Sequence, residues 1–343
     1  MSFGRSQIFL CALVGALLFA ILLSMSSGQY DIPMEAVAAS FAHAAGLPIL
    51  TDVVVTPEQE AVLWHIRLPR TLVGMMVGAG LGVSGAVLQG IFSNPLADPG
   101  IIGVSSGASV GAVLAIGIGV TAGSVLTLPA LDFVGSMLAV GLTVSLSMRH
   151  GRIPVMTLLL SGVVVGMFLA ACTAAILTVM NEQKMQQYLF WTIGGLDYRR
   201  WDHVLLGIGP IAVGASIMVL LARHLNLLAF GEVEARAAGM PVTAFRLLFL
   251  VLASLTTAAG VCISGNIGFV GLVVPHMVRL LIGPDHRRLL PASLLAGAVF
   301  LVLCDSVGRI LLHGMEIRVG IMTAFIGTPY FLYLLRRHMK TGG

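Results

Sequence analysis

Charge is the scarcest property of this chain: 10% of its 343 residues are Asp, Glu, Lys or Arg, against roughly 25% in soluble domains. That shortage, beside a hydrophobic fraction of 57%, excludes an ordinary soluble fold. Lysine is nearly missing, with only Lys184 and Lys340. Neither closes a GxxxxGK[ST] pattern, so the chain has no P-loop with which to hold ATP. The net charge of +4 is small and its arginines are scattered, so no basic stripe marks a nucleic-acid surface. There is no HExxH and no CxxC, and Cys11, Cys172, Cys262 and Cys304 each sit in apolar sequence. They read as packed thiols, with neither a disulfide nor a metal site expected.

What fills the chain instead is one apolar run after another, each near the roughly 20 residues that a bilayer core requires of a helix. The runs cover residues 8–25, 72–92, 101–120, 133–148, 153–180, 204–222, 289–304 and 319–335. The uncharged stretch 247–278 is too long for one helix and is broken by SGNIG, which divides it into a span ending near 264 and another over 268–282. The expected fold is therefore all-α and polytopic, with about ten transmembrane helices in a single domain, 1–343. The first run follows Arg5 and resembles a signal peptide in its small-residue flank, but among so many spans it reads as a retained helix.

An even number of spans places both termini on one side. Arg149, Arg152, Arg223, Arg236, Arg246, Arg279, Arg287 and Arg288 then share that side, which the positive-inside rule makes cytoplasmic. Arg67, Arg70, Lys184, Arg199, Arg200, Arg309 and Arg318 fall outside, more than the rule leads one to expect. Glycine is abundant, at 41 residues, and its spacing in GAGLGVSG leaves a smooth face for close helix packing. GVSGAVLQGIF and CISGNIGFVGL echo one another, and an inverted repeat is one reading of the echo.

Three places carry candidate chemistry. The break SNPLADPG, residues 93–100, interrupts two spans with two prolines, which stop helices; irregular backbone at membrane depth belongs where it is buried or lines an aqueous path. The segment 224–246 mixes apolar residues with Glu232, Glu234 and Arg236 and ends at Gly239, Met240 and Pro241. It is either a solvated connecting helix or a short helix that docks on a partner. HIRLPRTL puts Arg67 and Arg70 at the mouth of a span, as interfacial anchors or as a cationic ring for an acidic partner. GVSG and GVSSG offer Ser84 and Ser105, with His276 as the histidine within a span, so an intramembrane serine hydrolase is a distant alternative.

RLPRTL, SGAVLQGIFSNPLADPGIIGVSSGASVGA, LNLLAFGEVEARAAGM, GNIGFVGLVVPHMVRLLIGPDHRRLLP and RVGIMTAFIGTPYF occur in order over residues 67–335. Together they resemble the FecCD-type permeases of type II ABC importers, which carry haem, ferric siderophores or cobalamin. The resemblance implies an inverted-repeat protomer, a homodimer with its pathway on the two-fold axis, two ATP-binding subunits, and a periplasmic substrate-binding protein. It implies a transport subunit in the bacterial inner membrane rather than an enzyme, with no cofactor of its own; ATP and Mg belong to the partner ATPase.

By position in these motifs, Asn94, Pro95 and Leu96 form one cytoplasmic gate and Val155, Met156 and Thr157 a second. Coupling helices lie within 224–246, with Leu228, Gly231, Glu232, Ala235 and Gly239 facing the ATPase. Arg67, Arg70 and Arg309 meet glutamates of the binding protein. For the cargo, His65, His203 and His313 near the outer face and Met75, Met76 and Met180 along the spans point toward haem, with a ferric siderophore or cobalamin as alternatives.

Overall fold

A computed structural model describes residues 3–341 apart from 48, 51, 121–123 and 313. Each apolar run forms a helix. In chain order the helices are α1 (Phe3–Ser26), α2 (Met34–Ala44), α3 (Pro57–Ala61), α4 (Leu68–Ile91), α5 (Val104–Ile118), α6 (Thr127–Ser147), α7 (Val155–Leu177) and α8 (Glu182–Ile193). They continue as α9 (Trp201–Leu220), α10 (Ala222–Phe230), α11 (Glu232–Ala237), α12 (Val242–Ser264), α13 (Val270–Ile282), α14 (His286–Ile310) and α15 (Val319–Thr341). Seven helices are long and apolar enough to cross a membrane, and shorter apolar helices occupy Val104–Ile118, Val270–Ile282 and Val319–Tyr333. These helices correspond to the ten runs.

The second run differs from expectation in length. A π-helical turn, Val62–Arg67, joins α3 to α4, so one helical rod runs over Pro57–Ile91. Its start is a capping box: the Thr56 hydroxyl accepts from Gln59 N–H while the Gln59 side chain accepts from Thr56 N–H, satisfying end donors reciprocally. The run over 153–180 is α7, and beyond it a separate, shorter α8 starts at Glu182, where Asn181 caps it by accepting from Lys184 N–H.

α4 is the axis of the fold. It is buried along most of its length, as is α12, whereas α1 and α7 turn most of their surface outward. Glycine explains how close its neighbours come. A Cβ placed on Gly78 would lie 2.2 Å from the Gly297 carbonyl oxygen of α14, and one on Gly85 would lie 1.9 Å from the Gly271 oxygen of α13. Small residues let helix backbones approach in this way.

The two echoing stretches thus meet at Gly85 and Gly271, but with different local structures. The first stays helical within α4, whereas the second ends α12 at Ser264 and restarts at α13 after Phe269, whose φ is +70°. Of the four cysteines, all free, Cys262 and Cys304 are buried as expected; Cys11 is exposed on the outward face of α1.

Candidate functional site

Short helices leave the bundle at the end where α4 finishes and α14 begins. The sequence LNLLAFGEVEARAAGM cannot make one helix, because Gly231 adopts φ +132°. That breaks it into α10 and α11. Leu225, Leu228 and Ala235 turn inward, while Phe230 is 78% exposed and Val233 76% exposed beside the break.

Gly239 (φ +79°) closes α11. Its N–H donates to the Arg236 carbonyl at 2.9 Å and Met240 N–H to the Ala235 carbonyl at 3.1 Å, a left-handed glycine stop that satisfies the final carbonyls. Of the five residues expected to meet a partner here, Leu228 and Ala235 therefore support the helices from beneath. Gly231 and Gly239 shape them, and Glu232 presents a half-exposed carboxylate.

Two polar connections fix these helices to the bundle. Asn226 of α10 donates to the Asp285 carboxylate at 2.7 Å, and its Oδ1 accepts from His286 N–H at 2.8 Å, gripping the first turn of α14. Burial alone would raise the Asp285 carboxyl; the Asn226 amide, the Arg287 N–H and the nearby arginine charges outweigh that and hold it below the ordinary range. On the other helix, Glu232 accepts from Arg236 and from the buried Arg246 of α12, whose Nη1 also donates to the Ile153 carbonyl at 2.6 Å.

SNPLADPG lies at this same end. Ser93 takes φ +46° after α4, Asn94 Oδ1 accepts from Leu96 N–H at 2.9 Å, and Asp98 Oδ1 accepts from Gly100 N–H at 2.8 Å to open a 3₁₀ turn, Pro99–Ile102. Burial pushes the Asp98 carboxyl up, against that hydrogen bond. Asn94, Pro95 and Leu96 are exposed as a tip. Val155, Met156 and Thr157 form the first turn of α7, and Met156 is 69% exposed. The Arg246–Ile153 contact places that turn beside α11, so both expected gates share one end with the α10–α11 pair. Next to the tip a cavity of about 770 Å³ reaches from Asn94 and Pro95 to Phe230, Arg279 and Arg287.

At the opposite end lie the three arginines expected to meet the binding protein. Arg67, Arg70 and Arg309 are all buried. Arg67 donates to the Met25 and Tyr30 carbonyls. Arg70 grips Asp305 through Nε and Nη2, at 3.0 and 2.9 Å, and Glu316 through Nη1 at 2.8 Å. Arg309 pairs with Asp305 at 3.2 Å and donates to the Ser24 hydroxyl at 2.7 Å. Arginines spaced around a proline look alike in sequence whether they face water or a carboxylate on a helix more than 200 residues away.

The cations that line the cavity of about 690 Å³ at this end are Arg70, Arg199, Arg200 and Arg318. Arg200 is exposed, paired with the somewhat less exposed Asp202 at 3.6 Å. Arg199 is held below its ordinary value by burial and by the Arg318 charge, against the pull of Asp197. Motif position brought forward Arg70 but not Arg199, Arg200 or Arg318, and the signal for Arg199 and Arg200, RR at the start of a span, is a common one.

The histidine hints divide. His65 is exposed on this cavity. His203 is buried and committed, with Nδ1 accepting from Arg200 N–H at 3.2 Å and Nε2 3.3 Å from Arg199. His313 lies outside the described residues. Ser84, the first hydrolase candidate, is fully buried on α4, where no substrate reaches its hydroxyl in this conformation.

The family model described as the FecCD transport family matches residues 16–337. A cobalamin import system permease protein BtuC of Halobacterium salinarum is 46% identical over 280 residues, 81% of this chain and 74% of its own. A hemin transport system permease protein HmuU of Yersinia pestis is 38% identical over 285 residues, 81% of this chain and 85% of its own. A solved structure described as an inward-facing conformation of an ABC transporter assigned to the metal-chelate type superposes with a TM-score of 0.84 at 33% identity, covering 96% of this chain and 98% of the other.

Proposed function

The chain belongs to the FecCD transport family, as a permease subunit of a type II ABC importer, and from that premise we propose that its cargo is a metal-bearing tetrapyrrole, haem or a corrinoid. The similarity to permeases named for cobalamin and for hemin supports this class, since both cargoes are large macrocycles around one metal. Haem in particular rested on His65, His203 and His313 and on Met75, Met76 and Met180, and of these His203 is now accounted for by Arg199 and Arg200.

The observation that carries the transport mechanism is the α10–α11 pair, with Phe230 and Val233 exposed at its tip. Apolar side chains held out from the bundle on two short helices fit a groove in a separate ATPase subunit. That end is then cytoplasmic, together with both termini, in accord with the arginines gathered near it. A second copy of the chain completes the pathway on a two-fold axis, and Asn94, Leu96 and Met156 from each protomer close its inner end. One ATPase sits on each α10–α11 pair.

At the periplasmic end the exposed Arg200, with Arg318 half-exposed behind it, offers positive charge to acidic side chains of a binding protein. Arg67, Arg70 and Arg309 support that surface from below. In this reading the permease steers and gates; selectivity lies with the binding protein, and ATP and Mg with the ATPase.

The cargo is tested by uptake into proteoliposomes holding the permease, its ATPase and its binding protein. Haem and cyanocobalamin are offered separately from a ferric hydroxamate siderophore. ATP-dependent uptake of haem or cyanocobalamin is the expected result. Uptake of the siderophore with neither tetrapyrrole overturns the assignment.

A further inference from the structure

Arg246 joins the ATPase-facing helices to one of the two gates, and although it ends the segment 224–246 it was given no role by motif position. It is fixed five residues into α12, buried at 6% exposure. One edge of its guanidinium meets α11, with Nη1 and Nη2 each 3.2 Å from Glu232 Oε2. Nη1 also donates to the Ile153 carbonyl at 2.6 Å. Ile153 is itself fully buried, and it directly precedes Pro154, the N-cap of α7. The turn before it is closed by paired backbone hydrogen bonds between Arg149 and Arg152, so Ile153 sits between a closed turn and the rigid start of a helix. No other hydrogen bond or ion pair found among the described residues connects α11 to this turn.

We propose that Arg246 is a positioning residue that carries displacement of α11 to Val155, Met156 and Thr157, so that docking and nucleotide-driven motion of the ATPase reset the α7 gate. The inference rests on the reading of α10–α11 as the ATPase contact. The physical basis is the shape and burial of the side chain. A guanidinium is a planar fork whose donors keep fixed relative positions, so a carboxylate that shifts one edge reorients the other. Because the group is buried, separating it from Glu232 leaves a charge without its counterion, which proteins strongly resist. The lower-cost response to movement of α11 is for Arg246 to follow and to draw the Ile153 carbonyl with it. Glu232 is suited to start that motion, because it sits at the first turn of α11 and is also held by Arg236.

The test uses the complete reconstituted complex carrying Arg246→Gln or Arg246→Lys. A Met156→Cys reporter is added in a background whose four native cysteines are replaced. Three quantities are read: ATP hydrolysis, cargo uptake, and the change in thiol labelling at position 156 when ATP is added.

With Arg246→Gln we expect the ATPase to remain bound and hydrolysis to stay within about twofold, while uptake falls about tenfold or more and the ATP-dependent labelling change is lost. Arg246→Lys, which keeps the charge but not the fork, is expected to fall between. Should the glutamine variant fail to assemble, the lysine variant decides alone, by whether uptake falls further than hydrolysis. Proportional loss of hydrolysis and uptake, or an unaltered labelling change, overturns the proposal. Failure of the underlying reading shows separately: Phe230→Glu would then leave the ATPase bound.

Discussion

Arg70 and Asp305 face each other at the end of the bundle opposite α10 and α11 in a two-pronged ion pair, at 3.0 and 2.9 Å, with the Asp305 side chain only 3% exposed. One arginine on α4 and one aspartate on α14, 235 residues apart in the chain, thereby join the two helices whose glycines already bring them together. The same aspartate receives Arg309, so one carboxylate is shared by two buried cations, with Glu316 adding a second negative charge beside Arg70.

Asp305→Asn should be among the most damaging conservative changes in the chain. Breaking a buried ion pair from one side costs about 3–5 kcal/mol, and here Arg309 loses its carboxylate while Arg70 is left with the more exposed Glu316. Unfolding of the detergent-solubilised permease, followed by denaturant or heat, should show that loss. Glu316→Gln removes a more exposed partner of Arg70 and should cost at most about 1 kcal/mol.

Docking of the binding protein should respond to Arg200 more cleanly than to the buried arginines. Arg200→Glu is expected to weaken association severalfold at about 0.1 M salt, with the effect fading toward about 1 M as the Debye length falls from about 10 to about 3 Å. Stability should hardly change. Arg67→Glu should instead lower stability, because it places a carboxylate against the Met25 and Tyr30 carbonyls. Surface-immobilised binding protein at graded salt separates the two behaviours.

The α4–α14 contact can be probed through glycine. Alanine at Gly297 sets a methyl 2.1 Å from the Gly78 carbonyl oxygen, and backbone cannot swing aside as a side-chain tip does. A cost of about 1–3 kcal/mol, typical of overpacking, is expected in the same unfolding experiment. Gly268→Ala, where a Cβ meets nothing within 4 Å, should be nearly silent.

Much of this architecture is written in the apolar pattern. Runs of about 20 residues announced the spans, SGNIG divided the longest one, and the helix-breaking pair of prolines in SNPLADPG marked a turn at the end of the bundle. The α10–α11 pair was legible as an amphipathic break, though its split at Gly231 depends on a backbone angle that a glycine permits without dictating.

What remained hidden is pairing over long sequence distance. Nothing near Arg70 names Asp305, nothing near Arg246 names Glu232 and Ile153, and arginine beside a span reads equally as an interfacial anchor. The π-turn over Val62–Arg67 was hidden for a related reason: HIRLPR contains a proline that signals a helix start, and here Pro69 falls in the first turn of α4, inside a rod already begun at Pro57. The N–H that proline lacks is of little consequence there, since the π-turn has already shifted the hydrogen-bond register.

The most direct measurement of the central claim is ATP-driven uptake by the reconstituted complex, comparing wild type with Phe230→Glu and Gly239→Trp. Phe230 is exposed, and a side chain at Gly239 would meet open space, though at a φ of +79°, so neither change disturbs the packed core of the bundle. The account predicts that both variants reach the membrane folded, lose the ATPase on purification, and fall to background uptake. Normal ATPase binding and normal uptake in both would contradict it.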